Sequence, residues 1–560
     1  MSSKDRFVLY ENDNEFNYDK NNKNVQIRFN RVAFIFFIFF VIFLIYSIHL
    51  IHLGSRSSKN INSNKTKIYN KLKRTDIVDR NGNFLAKTVS SIDIGINPIE
   101  TIDQKKLLLN LGYIFPNKDY QLIQSKFNKN KFFWFEKKIS DENYEKIMML
   151  GDKSIKPEER LIRLYPQKNL FSHIIGQIDD ANNGISGLEK SLDDQLKKDK
   201  DTIKLTVDKD IQYLIREELL KYNKIFDTKG SAAILMDVNN GEILSLVSVP
   251  DFDPNQRENI IDVNYINRAT KGVYEFGSVF KTFTMAAAFN EKIFEPESMF
   301  VNLPKSLTCA GFTISEYDED IPSDLTLEQI LVRSGNIGSV RIGQEIGEEK
   351  FKSFLNIIGI TGSINFDIEE VGVPIKFNWG KCPLATASFG HGITTTLLQV
   401  AKAYSIIVNG GYYINPTLIK NDQASKKKQI LDRDVSKKIL PILRKIVSTK
   451  DGTAKLANVD GYEIGGKTGT ANKIIDGVYS NKKINTFISV FPTSKPKFAL
   501  AVMLDESQNN KDYIYEFRDG SNFKLKGSPR NTSGWTTVEV VGHIVERSGP
   551  ILATKYNEIK

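Results

Sequence analysis

The sequence predicts an α+β protein: an N-terminal transmembrane helix, a mixed α/β pedestal region, and a larger C-terminal domain whose antiparallel sheet is flanked by helices. Three observations predict it. From Val32 to Leu53 the chain runs through 22 almost wholly apolar residues with no Lys, Arg, Asp or Glu. Later, two apolar runs, Ser231 to Asp237 and Glu242 to Val249, are joined by Asn239-Asn240-Gly241, a strong hairpin signal. After them, helical patterns (around 281–291, 326–332, 395–408 and 433–447) alternate with late strands, Phe487–Phe491 and Lys497–Leu504 being the clearest.

Residues 1 to about 31 are polar and mixed in charge, which predicts a flexible tail. The apolar run that follows is long enough, at about 1.5 Å per residue, to cross the hydrocarbon core of a bilayer. It is too long for the core of a signal peptide and ends without an Ala-x-Ala-like site, so it is expected to stay as an anchor. Flanking charge does not orient it: Lys20, Lys23, Arg28 and Arg31 precede it, while Arg56, Lys59, Lys65, Lys67, Lys71 and Lys73 follow. The Asn/Ser/Lys-rich residues 54–73 read as a linker. Residues 74–204 form the mixed region, with a hairpin turn at Asp79-Arg80-Asn81-Gly82 and no catalytic spacing. From Leu205 the texture changes: Leu205-Thr206-Val207-Asp208 reads as a short strand, with Asp208 capping a helix from Ile211-Gln212 to Leu220. Residues 205–560 then make up the large domain.

Composition narrows the function. Of 560 residues 41% are hydrophobic and 11% aromatic, as in folded, core-forming chains. The net charge of +10 is dispersed over a Lys- and Asn-rich composition without a concentrated basic patch, which argues against nucleic acid as a partner. Cys309 and Cys382 are the only cysteines, so a disulfide framework or four-cysteine zinc site is excluded and one bridge is allowed. The five histidines are scattered, with no His-x-x-x-His pair. That pattern argues against a metal hydrolase.

The chemistry centres on Tyr274-Glu275-Phe276-Gly277-Ser278-Val279-Phe280-Lys281 and the Ala-rich stretch after it. Gly277 permits a tight turn, and Ser278 would open a helix with Lys281 one turn later on the same face. An amine there can take the hydroxyl proton if burial or a neighbouring positive charge keeps it neutral. Ser-x-x-Lys also occurs at Ser425, Ser480, Ser494 and Ser521, but in charged or Pro-containing stretches. Two further motifs follow in order. Ser334-Gly335-Asn336 lies at a break after a helical stretch; its hydroxyl can pass a proton and its carboxamide can bind an amide. Gly465-Gly466-Lys467-Thr468-Gly469-Thr470 offers a fixed cation on a strand whose glycines let an extended peptide approach.

Read together, the three match the Ser-x-x-Lys, Ser-x-Asn and Lys-Thr-Gly set of penicillin-binding proteins and serine β-lactamases. Over nearly its whole length the chain resembles the class B penicillin-binding proteins, in particular the FtsI-like, division-specific peptidoglycan D,D-transpeptidases. The resemblance rests on the single anchor, Arg74 with the Asp79-Arg80-Asn81-Gly82 turn, Arg163-Leu164-Tyr165-Pro166, Gly187-Leu188-Glu189 and Leu205-Thr206-Val207-Asp208. It also rests on Asn267-Arg268-Ala269, Ser388-Phe389-Gly390-His391-Gly392 and Thr396-Leu397-Leu398-Gln399. Two positions depart from the family pattern: Phe276 stands where proline is usual, and Gly335 where serine or aspartate is usual.

The resemblance implies a serine acyl transferase that cross-links stem peptides in septal wall synthesis. Ser278 would be the nucleophile and Lys281 its base; Ser334 and Lys467 would move the proton to the leaving D-Ala. Asn336 would hold the substrate amide, Thr468 and Thr470 the terminal carboxylate, and Gly469 belongs to the same substrate-binding strand. The backbone N–H groups of Ser278 and Thr470 would form the oxyanion hole. It further implies acylation by β-lactams, a cytoplasmic tail at 1–31, and a single-pass inner-membrane protein with its catalytic domain outside the cytoplasm. The implied partners are an FtsW-like lipid-linked glycan polymerase and other divisome proteins. Rival readings are an elongation-type transpeptidase, a D,D-carboxypeptidase, and a non-enzymatic β-lactam sensor or scaffold.

Overall fold

The computed structural model describes residues 10–12, 15–20, 25–30, 34–52, 73–199, 201–256, 263–421 and 428–556. The chain divides into two compact units, Met1–Lys73 and Arg74–Lys560.

In the first unit the expected flexible tail contains instead three antiparallel strands, β1 (Tyr10–Asn12), β2 (Glu15–Lys20) and β3 (Val25–Asn30). The physical reason is a period-2 pattern within the polar composition: Phe16 and Tyr18 alternate with Asn17 and Asp19, and Val25, Ile27 and Phe29 with Gln26 and Arg28. The apolar run forms one helix, α1 (Phe34–His52), of mean hydropathy 2.8 over its most apolar window and with none of that window buried. Among the described residues it is the one helix long and apolar enough to cross a membrane. The expected linker lies outside the described residues except for Lys73.

The second unit begins with the pedestal. Its sheet runs β8 (Ile203–Lys204), β4 (Ile77–Val78), β5 (Phe84–Ile96), β6 (Phe133–Ile139), with β7 (Ile155–Leu164) also paired to β5. The β4–β5 turn is the expected hairpin: Asp79 Oδ1 accepts from Asn81 N (2.9 Å) and Asn83 N (2.8 Å), and Gly82 has φ +88°. Helices α2 (Gln104–Ile114), α3 (Tyr120–Asn128) and α4 (Asp141–Met148) close a small separate core around Ile94, Leu111, Phe127 and Ile147. Three of the side chains on which the family resemblance rests converge here. Buried Glu189 accepts from Arg74 Nε (2.8 Å) and Arg163 Nε (2.7 Å), joining segments more than a hundred residues apart.

The expected strand at Leu205–Asp208 is not one. Only Leu205 bridges, to Ile419, because the pairing edge of the pedestal sheet ends at Lys204. Asp208 does cap the helix, accepting from Asp210 N (3.0 Å) and Ile211 N (3.3 Å), and that helix, α5 (Lys209–Ile225), runs five residues beyond Leu220. Asp208 also accepts from Asn81 Nδ2 (3.0 Å) and Lys555 Nζ (2.9 Å), so one carboxylate joins the pedestal turn to the last helix, α12 (Thr537–Tyr556).

The large domain is built on a five-stranded antiparallel sheet. Its order is β10 (Ile243–Val249), β9 (Gly230–Asp237), β15 (Phe498–Asp505), β14 (Val478–Phe491), β13 (Gly465–Ile475). β9, β10 and β15 are buried throughout, so each reads as a continuous apolar run and not as an alternation. Helices flank it as predicted: α6 (Phe280–Asn290), α7 (Leu327–Val332), α8 (Asn336–Ile346), α9 (Lys381–Ala387), α10 (Leu397–Val408) and α11 (Arg433–Ser448). Every residue of α10, and all of α6 except Asn290, is buried. Ala286, Ala287 and Ala288 of α6 are fully buried, and α6 packs against α8 and α11.

Candidate active site

The first motif sits where a turn meets α6. Gly277 has φ +53°, and a Cβ there would lie 2.7 Å from Thr470 O, so a side chain would be strained and would also push the turn off β13. Gly277–Val279 form one 3₁₀ turn and α6 follows. Ser278 is half-buried, and Lys281 one turn later is fully buried. The departure at Phe276 has a structural account. Its φ of −103° lies outside the range near −65° that a proline ring imposes, and its buried ring meets Tyr274 edge-on at 6.1 Å.

The second motif comes to the lysine. Lys281 Nζ donates to Ser334 O (2.5 Å), Asn336 Oδ1 (2.7 Å) and Ser334 Oγ (3.2 Å). In this resting geometry its donors go to the second motif and not to Ser278, the expected partner. Ser334 holds a left-handed φ of +62°, an unfavourable backbone state for a residue with a side chain, and it turns both oxygens towards the amine. Burial pushes the Lys281 ammonium down to about 7, partly opposed by the Glu316 carboxylate.

The third motif supplies a second buried amine. Lys467 Nζ donates to Ser334 Oγ (2.9 Å) and Thr468 O (3.0 Å). Its pKa lies well below the usual lysine range, first through burial and then through the positive charge of Lys281. Two lysines therefore meet at one hydroxyl oxygen. Both lone pairs of Ser334 Oγ are engaged, and the hydroxyl proton is what it has left to give.

β13 is the outer strand of its sheet. Gly469 contributes by closeness: a Cβ there would fall 2.1 Å from Phe276 O and 2.7 Å from Val279 Cγ2, so only glycine lets the strand lie against the Gly277–Val279 turn. Thr468 Oγ1 pairs with Thr453 Oγ1 (2.8 Å) and Thr470 Oγ1 with Ser533 Oγ (2.9 Å), which aims both hydroxyls. The eight residues singled out from the motifs thus come together where the Gly277–Val279 turn, the start of α8 and β13 meet. Sequence reasoning missed Glu316, Thr453 and Ser533, which reach the site from segments with no motif of their own. Among the described residues no group of His, Cys, Asp and Glu side chains is arranged to hold a metal.

Cys309 and Cys382 form a disulfide across 73 residues of sequence. It ties the hairpin β11 (Ser306–Cys309) and β12 (Phe312–Ser315) to α9.

Residues 231–517 match the penicillin binding protein transpeptidase domain and residues 69–222 the penicillin-binding protein dimerisation domain. The chain is 29% identical over 500 residues to a probable peptidoglycan D,D-transpeptidase FtsI of Caulobacter vibrioides, covering 86% of this chain and 82% of that one. It is 30% identical to peptidoglycan D,D-transpeptidase FtsI of Buchnera aphidicola, covering 79% and 83%. It is 29% identical to stage V sporulation protein D of Bacillus subtilis, covering 86% and 79%. Penicillin binding protein 3 of Mycobacterium tuberculosis, solved with aztreonam, shares the fold at TM-score 0.65 and 21% identity, over 87% of this chain and 97% of that one. With the transpeptidase domain alone spanning 231–517 of its 560 residues, the chain belongs to the penicillin-binding protein transpeptidase family.

Proposed function

We propose that this protein is a serine-type peptidoglycan D,D-transpeptidase of septal wall synthesis. The observation that carries the reading is the convergence on Ser334 Oγ, at 3.2 and 2.9 Å, of the buried Lys281 Nζ and Lys467 Nζ, Lys281 lying one helical turn after Ser278. Such an arrangement can take a proton at one point of a cleft and deliver one at another.

The Ser278 hydroxyl loses its proton to neutral Lys281 as Oγ attacks the carbonyl of the penultimate D-Ala of a stem peptide. The oxyanion is met by the backbone N–H groups of Ser278 and Thr470, a pairing supported by the packing of Gly277 on the Thr470 backbone. As the peptide C–N bond breaks, the leaving D-Ala amine takes the Ser334 proton and Lys467 replaces it. Asn336 holds a substrate amide, and Thr468 and Thr470 hold the terminal carboxylate on the glycine-lined strand. An amine of a second stem peptide then attacks the acyl-enzyme, its proton returns to the lysine pair, and Ser278 leaves with a cross-link formed. β-Lactams acylate the same serine. No step calls for a metal or organic cofactor.

The α1 helix is the membrane anchor, with residues 1–31 cytoplasmic and the catalytic domain on the other side. The disulfide supports that side, since such bridges persist in oxidising compartments. A lipid-linked glycan polymerase of the FtsW kind and other divisome proteins are the partners, reached through α1 and the pedestal. The proposed domain limits are 74–204 and 205–560, a division supported by the end of the pedestal sheet at Lys204. Labelled penicillin should bind covalently to the purified protein and Ser278→Ala should abolish the label; label retained by that variant would overturn the assignment.

A further inference from the structure

One carboxylate near the site is not used by this mechanism. Glu316 follows directly after β12, and its backbone N–H closes the base of that hairpin on Lys305 O (3.2 Å). Its side chain reaches across to the start of α8: Oε2 accepts from Asn336 N (2.6 Å) and Oε1 from Ile337 N (2.9 Å). Gly335, the residue at the N-cap of α8, has no side chain with which to do this. The preceding residue, Ser315, accepts from Asn336 Nδ2 through its carbonyl (2.8 Å). That fixes the carboxamide so that Oδ1 faces Lys281 Nζ at 2.7 Å. Ser334 meanwhile keeps its left-handed backbone, a state that persists only where surrounding contacts over-determine it.

We propose that Glu316 is a positioning residue of the acyl-transfer site, its carboxylate acting as a helix cap supplied from outside the helix and holding Ser334 and Asn336 in register with Lys281. The inference rests on the reading of Ser278 as the acylated nucleophile. Glu316 and Ser315 act together, and the hairpin that presents them is fastened to α9 by the Cys309–Cys382 bridge. Gly335 leaves room for the carboxylate: a Cβ there would lie 3.6 Å from Glu316 Oε1 and 3.2 Å from Ile321 Cδ1, so a larger side chain would compete for that space. The ionisable groups that face Lys281 are Lys467 on β13, which lies across Ser334 Oγ, and Glu316, whose negative charge favours the ammonium form. Glu316 thus fixes the geometry of the second motif and also tunes the base.

The test is the rate constant for acylation by a chromogenic β-lactam as a function of pH, for the full chain and for Glu316→Gln, Glu316→Asp and Glu319→Gln. Covalent labelling of the wild type at Ser278 comes first, and its absence would overturn the functional reading, leaving nothing for Glu316 to position. Given labelling, Glu316→Gln should acylate about 10- to 100-fold more slowly at its plateau, the scale of a misplacement of order 1 Å. Its acid limb should move to lower pH, because the Lys281 ammonium has lost its negative neighbour. Glu316→Asp, charged but too short to reach both N–H groups, should slow acylation and leave the limb in place; Glu319→Gln, on the same segment, should change neither. A Glu316→Gln protein with wild-type rate and limb would overturn the proposal. So would a uniform loss of rate with an unmoved limb, which would make Glu316 a support of the hairpin only.

Discussion

In the proposed mechanism Lys281 accepts the Ser278 proton and so must be neutral, a state that its burial favours. With its pKa brought by burial to about 7, the acylation rate should rise with pH through a limb near 7 and level off above it. The sign follows from the acid form being the inactive one: below the limb the amine is an ammonium and has no lone pair to offer. A stopped-flow pH profile with a β-lactam that does not itself titrate in that range checks it; a limb close to the ordinary lysine value near 10.4 would show the amine to be solvated. At this scale the sequence was informative. Ser278, Lys281 and Lys467 lie in short motifs whose local turn and strand context distinguishes them from chance copies. Glu316, Thr453 and Ser533 were illegible because each meets its partner across at least fifteen residues of sequence, and nothing in their own neighbourhood marks the encounter.

At the scale of elements, the site is the place where a turn, a helix start and an edge strand touch backbone to backbone. Gly469 sets that contact. Gly469→Ala should push β13 away from Phe276 O and Val279, lowering β-lactam acylation by about 100-fold while circular dichroism and the far side of the sheet stay unchanged. Quantified labelling at fixed drug concentration, with mass spectrometry of the adduct, reads the outcome. Element types and order were largely visible: Asn239-Asn240-Gly241 does join β9 to β10, and the four helices predicted among the late strands each appear within about two residues of their expected limits. What misled was local texture. Leu205-Thr206-Val207-Asp208 has strand composition but no strand to pair with beyond one bridge. The tail before residue 31 has polar composition, while the alternation within it makes strands.

At the scale of the whole molecule, distant segments of the pedestal are joined by charged groups that burial makes costly to separate. Glu189→Ala would leave Arg74 and Arg163 buried without their shared carboxylate, and should destabilise the Arg74–Lys560 unit by about 3–5 kcal/mol. Denaturant unfolding followed by tryptophan fluorescence measures this, and a loss under 1 kcal/mol would show that water reaches the arginines. Arg74, Arg163 and Glu189 could be singled out from the sequence, but that they form one cluster could not, because their pairing depends on the fold of the intervening chain.

The two lysines on one hydroxyl have a consequence for the enzyme as a machine. In the proposed mechanism Lys281 and Lys467, which share Ser334 Oγ, act as a single proton reservoir. Each acylation deposits one proton in the reservoir from Ser278 and withdraws one for the departing amine; deacylation by an incoming amine reverses the bookkeeping. The centre therefore returns to its starting charge after every half-reaction without exchanging a proton with bulk water. It can thus run a full cycle beneath a bound polymer that shuts the solvent out.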